Sequence, residues 1–125
     1  MEFNNNKSIF LQIVDNITEK IANGTFSAGE RIPSVRELAA EMGVNPNTIM
    51  RTFNELQSKQ IIDNRRGIGY FVSPDARKSI LMKKKQDFYD RVLPEFLHQA
   101  KLARVTPSEL SKHLEKLNPA YYENK

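Results

Sequence analysis

The sequence predicts a mainly α-helical protein with one small β-hairpin. Two helix-start signals separated by a glycine stop lie between residues 33 and 60, and two short apolar runs flank a Gly-containing segment at residues 61–72. Apolar residues then repeat at helical spacing through the C-terminal part. The chain has 125 residues, 39% of them hydrophobic, enough for one compact core and a small appendage. We expect an N-terminal domain at residues 1–73 and a helical module at residues 74–125.

A first amphipathic helix is predicted from Ser8 to Asn23. Four isoleucines repeat in it every four residues, at positions 9, 13, 17 and 21. Gly24 then supplies a helix stop. This isoleucine row is typical of a helix face buried in the core.

The central stretch, residues 33–60, encodes two helices joined by a short turn. Ser34 and Glu37 are spaced as a capping box, in which each side chain accepts a hydrogen bond from a free amide of the first turn. Gly43 is placed to end this helix. Asn45 and Pro46 then favour a new helix start, because Asn caps helices and Pro loses no hydrogen bond at the first position. The arrangement is that of a helix-turn-helix.

The second of these helices has one apolar and one polar face. On a helical wheel, Ile49, Phe53 and Leu56 form one stripe. The opposite face carries amides, a hydroxyl and one arginine: Asn47, Arg51, Asn54 and Ser58. These groups hydrogen-bond to phosphates and base edges, so the face is predicted to contact DNA. An ordinary solvated face is the alternative interpretation.

A β-hairpin is predicted directly after this helix. Its strands are the apolar runs at residues 61–62 and 70–72, and Gly67 or Gly69 meets the positive-φ demand of the turn. A hairpin that follows a helix-turn-helix is called a wing. The tip of this wing carries Arg65, Arg66 and Gly67, and its two cations are suited to contact a phosphate or the DNA minor groove. Solvated turn arginines are the alternative. Residues 31–32 are a candidate for a short additional strand before the capping box.

The C-terminal part is predicted to be helical from Ser73-Pro74 onward. Pro94 lacks an amide hydrogen, so we expect a kink or break near Leu93. Thr106 and Glu109 form a second capping box, which begins a short final helix. Residues 120–125 are predicted to be a tail.

These C-terminal helices carry more apolar side chains than two helices can bury against each other along one shared interface. A second copy of the chain is the simplest partner, and packing back onto the N-terminal domain is the alternative. The side chains expected at the dimer interface are Leu81, Phe88, Val92, Phe96, Leu110 and Leu114.

Charge and composition exclude several classes of protein. The net charge is +4, but residues 1–73 hold eight basic and eight acidic side chains and are neutral. DNA binding must therefore depend on individual cations, for which Arg36, Arg51, Arg65 and Arg66 are the candidates. The absence of cysteine excludes disulfides and thiolate chemistry. The two histidines are not spaced as metal ligands and no nucleophile–base pair is indicated, so we expect no metal site, no cofactor and no enzymatic activity. With no apolar span or signal peptide, we expect a cytoplasmic protein that does not enter a membrane.

Residues 8–72 resemble the winged helix-turn-helix domain of the GntR family of bacterial transcription regulators. The matching segments are Gln12-Ile13, Ala28-Gly-Glu-Arg-Ile-Pro-Ser-Val-Arg-Glu-Leu-Ala39, Gly43-Val-Asn-Pro-Asn-Thr48 and Arg65-Arg-Gly-Ile-Gly-Tyr-Phe-Val72. The short remainder is similar to the YtrA-type subfamily, which implies a helical dimerisation module and a transporter operon as target. The resemblance implies DNA contacts at Arg36, Asn45, Asn47, Thr48, Arg66 and Gly67. Many relatives have arginine where this chain has Met50, and here the arginine is Arg51.

The leading hypothesis is a homodimeric repressor that reads an inverted repeat in double-stranded DNA, with the second helix of the motif in the major groove. Phosphate contacts are expected at the helix amino termini at Ser34 and Asn45, and base contacts from Arg36 and Arg51. The alternative is a winged-helix scaffold without specific DNA binding. The sequence does not identify a small-molecule effector. The chain after the wing is too short for a dedicated ligand domain, so a signal would have to bind at the dimer interface or between the two modules.

Overall fold

The computed structural model describes residues 2–4 and 6–118. The chain divides into two compact units, Met1–Leu81 and Met82–Lys125. The first unit extends eight residues past the boundary expected at residue 73, and Ala76 and Ile80 are buried with its core. The tail predicted at residues 120–125 lies outside the described residues.

Three helices form most of the first unit: α1 (Ile9–Ala22), α2 (Val35–Met42) and α3 (Pro46–Ser58). Ile13, Ile17 and Ile21 of α1 are buried, as predicted. The prediction for Ile9 was wrong, since its side chain is 46% exposed. Ile9 is the first residue of α1 and borders a surface depression instead of the core.

Both helix starts of the central stretch are confirmed. The Glu37 amide donates to Ser34 Oγ at 3.1 Å, and the Ser34 amide donates to Glu37 Oε1 at 3.3 Å. Gly43 follows α2 in the left-handed conformation, with φ of 68°. Asn45 Oδ1 accepts from the Asn47 amide at 2.8 Å, which caps α3. The turn between α2 and α3 is therefore specified by local hydrogen bonds.

The predicted hairpin consists of β1 (Ile62–Arg65) and β2 (Gly69–Val72), which pair antiparallel with Arg65 opposite Gly69. Arg31 forms a single bridge to Phe71, and the Ile32 amide donates to the Tyr70 carbonyl at 2.9 Å. The short strand predicted at residues 31–32 is thus one bridge, which joins the connector before α2 to the wing.

The core of the first unit lies between α1, α2, α3 and the hairpin. Its largest fully buried hydrophobic side chains are Ile13, Ile17, Ile21, Ile49, Phe53, Leu56, Ile62 and Val72. They come from both helices and strands, so the core fixes α3 against α1 and the wing.

The C-terminal helical run comprises α4 (Ala76–Asp87), a π-helical segment (Phe88–Val92) and α5 (Leu93–Leu102), followed by α6 (Pro107–Leu114). The Leu93 amide donates to the carbonyl of Phe88, five residues earlier. The wider π turn relieves the clash of the Pro94 ring with the preceding turn, so the helix is not broken there. The Thr106–Glu109 capping box is confirmed, with the Glu109 amide 3.3 Å from Thr106 Oγ1.

Candidate nucleic-acid interface

Helix α3 separates a buried face from an exposed one. Ile49, Phe53 and Leu56 are all 0% exposed, as the wheel predicted. Four residues away from this face are exposed, and a fifth, Thr48, is half-buried; the exposed residues are Asn47, Met50, Arg51 and Asn54. Because the core fixes the buried face, the exposed face is presented as a rigid surface.

The start of α2 carries an arginine beside a closed hydrogen-bond network. The Ser34 hydroxyl and then its amide hydrogen-bond to the Glu37 carboxylate and hold the pKa of Glu37 below its ordinary value. The Ser34 amide is therefore not free to bind a phosphate. Arg36, in contrast, is exposed and forms no ion pair or side-chain hydrogen bond within residues 2–4 and 6–118. Arg36 is the cation of α2 that remains available to DNA.

The amino end of α3 borders a surface depression of about 340 Å³. The structure brings three of the predicted contact residues together there, and the lining residues are Ser8, Ile9, Phe10, Asn47, Thr48 and Arg51. Half of this lining comes from the start of α1, which the sequence did not associate with the site. The depression is therefore formed jointly by α1 and α3.

Arg51 stacks on an aromatic ring of α1. Its guanidinium carbon lies 3.8 Å from the centre of the Phe10 ring. The hydroxyl of buried Thr52 donates to the Thr48 carbonyl at 2.9 Å and also lies 3.4 Å from the Phe10 carbonyl. Phe10 was not predicted as a site residue, because nothing local to residue 10 indicates which part of α3 will cover it.

The wing repeats this stacking on its outer face. Arg65 lies 4.1 Å from the centre of the Phe71 ring, its diagonal neighbour across the hairpin. Arg66 and Gly67 occupy the turn, which is closed by a hydrogen bond of 2.9 Å from the Ile68 amide to the Arg65 carbonyl. Gly67 has φ of 75°, which confirms the positive-φ position predicted for the turn.

Ion pairing explains how a neutral region can still present cations. Lys7 pairs with Asp15, and Lys59 pairs with Glu55 at 3.4 Å. The arginines of the site form no such pair with any carboxylate in the described part of the chain: Arg36, Arg51, Arg65 and Arg66. The acidic residues therefore do not neutralise the side chains that would meet DNA.

A second depression, of about 370 Å³, lies beside the connector before α2, where its lining includes Glu30, Arg31 and Glu37. Among residues 2–4 and 6–118, no three His, Asp or Glu side chains converge as metal ligands. Within the same residues, no helix is both long enough and apolar enough to traverse a membrane.

Comparisons with known proteins agree with this geometry. Residues 10–72 match the family model described as bacterial regulatory proteins, gntR family. The chain is 37% identical over 109 residues to an uncharacterized HTH-type transcriptional regulator, YhcF of Bacillus subtilis, covering 87% of this chain and 88% of YhcF. It is 31% identical over 110 residues to the HTH-type transcriptional repressor YtrA of the same organism, covering 88% and 84% of the two chains.

Solved structures show the same fold. A GntR family transcriptional regulator from Listeria monocytogenes superposes with a TM-score of 0.70 at 30% identity, over 93% of this chain and 100% of that one. The DNA-binding domain of AraR, in complex with its operator ORX1, superposes with a TM-score of 0.52 at 26% identity, over 58% and 93%. The chain therefore belongs to the gntR family of bacterial regulatory proteins and is a DNA-binding transcription regulator.

Proposed function

We propose that the chain is a homodimeric repressor that reads an inverted-repeat operator in double-stranded DNA. The observation that carries this proposal is the exposed face of α3, whose amide and arginine side chains stand on a helix fixed by a fully buried opposite face. A helix of this kind fits the major groove, and the wing adds cations beside it.

The contacts to DNA are proposed to divide between three places. The α2 start supplies Arg36, and the wing supplies Arg65, Arg66 and the backbone at Gly67. The amino end of α3 supplies Asn45, Asn47 and Thr48, and Ser34 contributes by fixing the first turn of α2. Arg36 and Asn47 are suited to base edges, since Arg pairs with guanine and Asn with adenine.

Dimerisation is proposed through the second unit together with Leu81, the last residue of the first unit. Between Met82 and Asn118 no side chain is buried, although the segment is rich in large apolar residues. Of the side chains expected at the interface, Leu81, Phe88, Val92, Phe96 and Leu114 are between 39% and 55% exposed, and Leu110 is half-buried. A dimer that covers these surfaces would carry two α3 helices, one for each half-site of an inverted repeat.

The finer biological role rests on the relatives. YtrA is a repressor, which supports repression by this chain, and the YtrA-type resemblance supports a transporter operon as target. We place the protein in the cytoplasm with its DNA and assign it no catalytic activity, cofactor or metal.

Selection from random double-stranded DNA with the purified full chain tests this function. We expect enrichment of one inverted repeat, bound by two copies of the chain in analytical ultracentrifugation. The scaffold alternative expects weak binding of all sequences alike. Enrichment of a single half-site bound by one copy would refute the dimer, and no enrichment would refute sequence-specific reading.

A further inference from the structure

We propose that Phe10 is a positioning residue that holds Arg51 against the DNA phosphate backbone, so that Arg51 sets affinity and not base preference. This proposal rests on the proposed DNA-binding function and revises the base-reading role that the sequence suggested for Arg51. It concerns the stack between α1 and α3, where the guanidinium carbon is 3.8 Å from the ring centre.

The first argument is the state of the guanidinium. Arg51 has no ion pair and donates no side-chain hydrogen bond within the described part of the chain. Stacking occupies the flat face of the group and leaves the N–H donors at its edge directed away from the ring. The Arg51 guanidinium is thus held by its flat face, and the N–H donors at its edge can make two parallel hydrogen bonds to a phosphate.

The second argument is the element that provides the ring. Phe10 belongs to α1, on the side of α3 where the Ser8, Asn47 and Thr48 depression lies. A side chain drawn onto α1 is held at the margin of α3, while Met50 remains exposed on that helix without such a partner. In this proposal Arg51, held on the side of α3 that faces α1, meets a phosphate, and Met50 takes the position from which a base edge would be contacted.

The third argument is the rigidity of the ring. Thr52, which is 0% exposed, brings its hydroxyl to 3.4 Å from the Phe10 carbonyl, and the Phe10 side chain packs against the core. The ring is therefore fixed to the same helix that carries Arg51. Because an arginine side chain loses much rotamer entropy when it binds, a fixed ring reduces the cost of ordering it.

The experiment measures binding of the full chain to its selected operator, to single-base variants of that operator and to a random-sequence duplex, between about 50 and 200 mM salt. The proteins are wild type, Arg51→Ala, Phe10→Leu, Phe10→Tyr and the double variant Phe10→Leu/Arg51→Ala. Lys20→Ala is the matched control, because Lys20 also lies over a ring, that of Phe26, at 5.5 Å.

For Arg51→Ala we expect about tenfold weaker binding for each half-site, by the same factor on every operator variant. The slope of log K against log salt should fall by about 0.9 for each subunit. Phe10→Leu should weaken binding by roughly two- to fivefold, whereas Phe10→Tyr, which keeps an aromatic ring, should bind like the wild type. The double variant should bind no worse than Arg51→Ala. Lys20→Ala should leave the slope unchanged.

Several results would overturn the proposal. A changed ranking of the single-base variants in Arg51→Ala would show base reading, and an unchanged salt slope would exclude a phosphate contact. If the double variant lost affinity by the product of the two single-variant factors, the Phe10 ring would be shown to act independently of Arg51. If the wild type selected no operator, the proposed function would fail, yet the random-sequence duplex would still decide the role of Arg51 through the same slopes.

Discussion

The ring of Tyr70 in the wing packs edge-on against the ring of Phe53 in α3, with the centroids 4.6 Å apart. Phe53 is 0% exposed, and Tyr70 is half-buried at the margin of the core. This aromatic pair adds to the core contacts between α3 and the hairpin, the two elements proposed to meet DNA.

Removing this pair should destabilise the first unit in a graded way. We expect Tyr70→Leu to lower the free energy of unfolding by about 1 kcal/mol, the usual worth of an aromatic pair beyond its area. Phe53→Ala should cost about 3–5 kcal/mol, because it also leaves a cavity. Urea unfolding of the variants measures both. Tyr70→Phe is the control, since it keeps the ring pair, and a loss equal to that of Tyr70→Leu would show that the hydroxyl matters instead.

The helix starts were predictable because their causes are local. Ser34, Asn45 and Thr106 each hydrogen-bond within three residues, so the sequence alone contains both partners. The hairpin was predictable for the same reason, as its turn needs glycine at positive φ. Each of these features depends on neighbours along the chain.

The features that were missed depend on residues distant in sequence. The Phe10–Arg51 stack joins residues 41 positions apart in two helices, and no periodicity within α1 indicates it. The extension of the first unit to Leu81 likewise depends on where Ala76 and Ile80 meet the core. The wheel correctly placed Arg51 on the exposed face, but it carries no information on which neighbour the long side chain will meet.

The proposed dimer can be tested with a charge on the apolar surface of α5. Phe96 is 43% exposed, and we expect Phe96→Asp to convert the dimer into monomers, because a buried carboxylate without a partner is costly. Sedimentation equilibrium measures the association constant. His98→Asp adds the same charge at an exposed polar position of the same helix, away from Phe96, and should leave the dimer intact. A dimer unaffected by Phe96→Asp would place the interface elsewhere.

The turn of the wing can be tested at Gly67 without introducing a clash. A Cβ there meets no atom within 4 Å, so the cost of Gly67→Ala comes from φ of 75° alone. We expect a loss of about 1–2 kcal/mol from the hairpin and weaker operator binding in gel-shift titrations. Gly67→Asn should lose less, because Asn tolerates the left-handed region. Equal binding by Gly67→Ala and wild type would show that the conformation of this turn does not affect affinity.

The capping box of α2, beside the surface proposed to bind DNA, should make the stability of the protein sensitive to acid. Hydrogen bonds from Ser34 lower the pKa of Glu37 in the folded state relative to its ordinary value of 4.5. A group whose pKa is depressed by folding stabilises the protein above its unfolded pKa, and this contribution is lost as the pH falls through the folded pKa. The stability that Glu37 provides should therefore be complete at neutral pH, begin to decline near pH 4.5 and be lost as the pH falls through the lower pKa of the folded state.

Thermal unfolding of wild type and Glu37→Gln between neutral pH and acid measures this contribution. We expect the wild type to be the more stable at neutral pH and the two to converge in acid, since protonation removes the charge that distinguishes them. Ser34→Ala should cost about 1 kcal/mol at neutral pH, as loss of an N-cap usually does. Glu41→Gln is the matched control, because Glu41 is exposed on the same helix and has no hydrogen bond or ion pair within residues 2–4 and 6–118. A constant gap between wild type and Glu37→Gln at every pH would mean that the carboxylate charge does not stabilise α2, and that the cap acts through hydrogen-bond geometry alone.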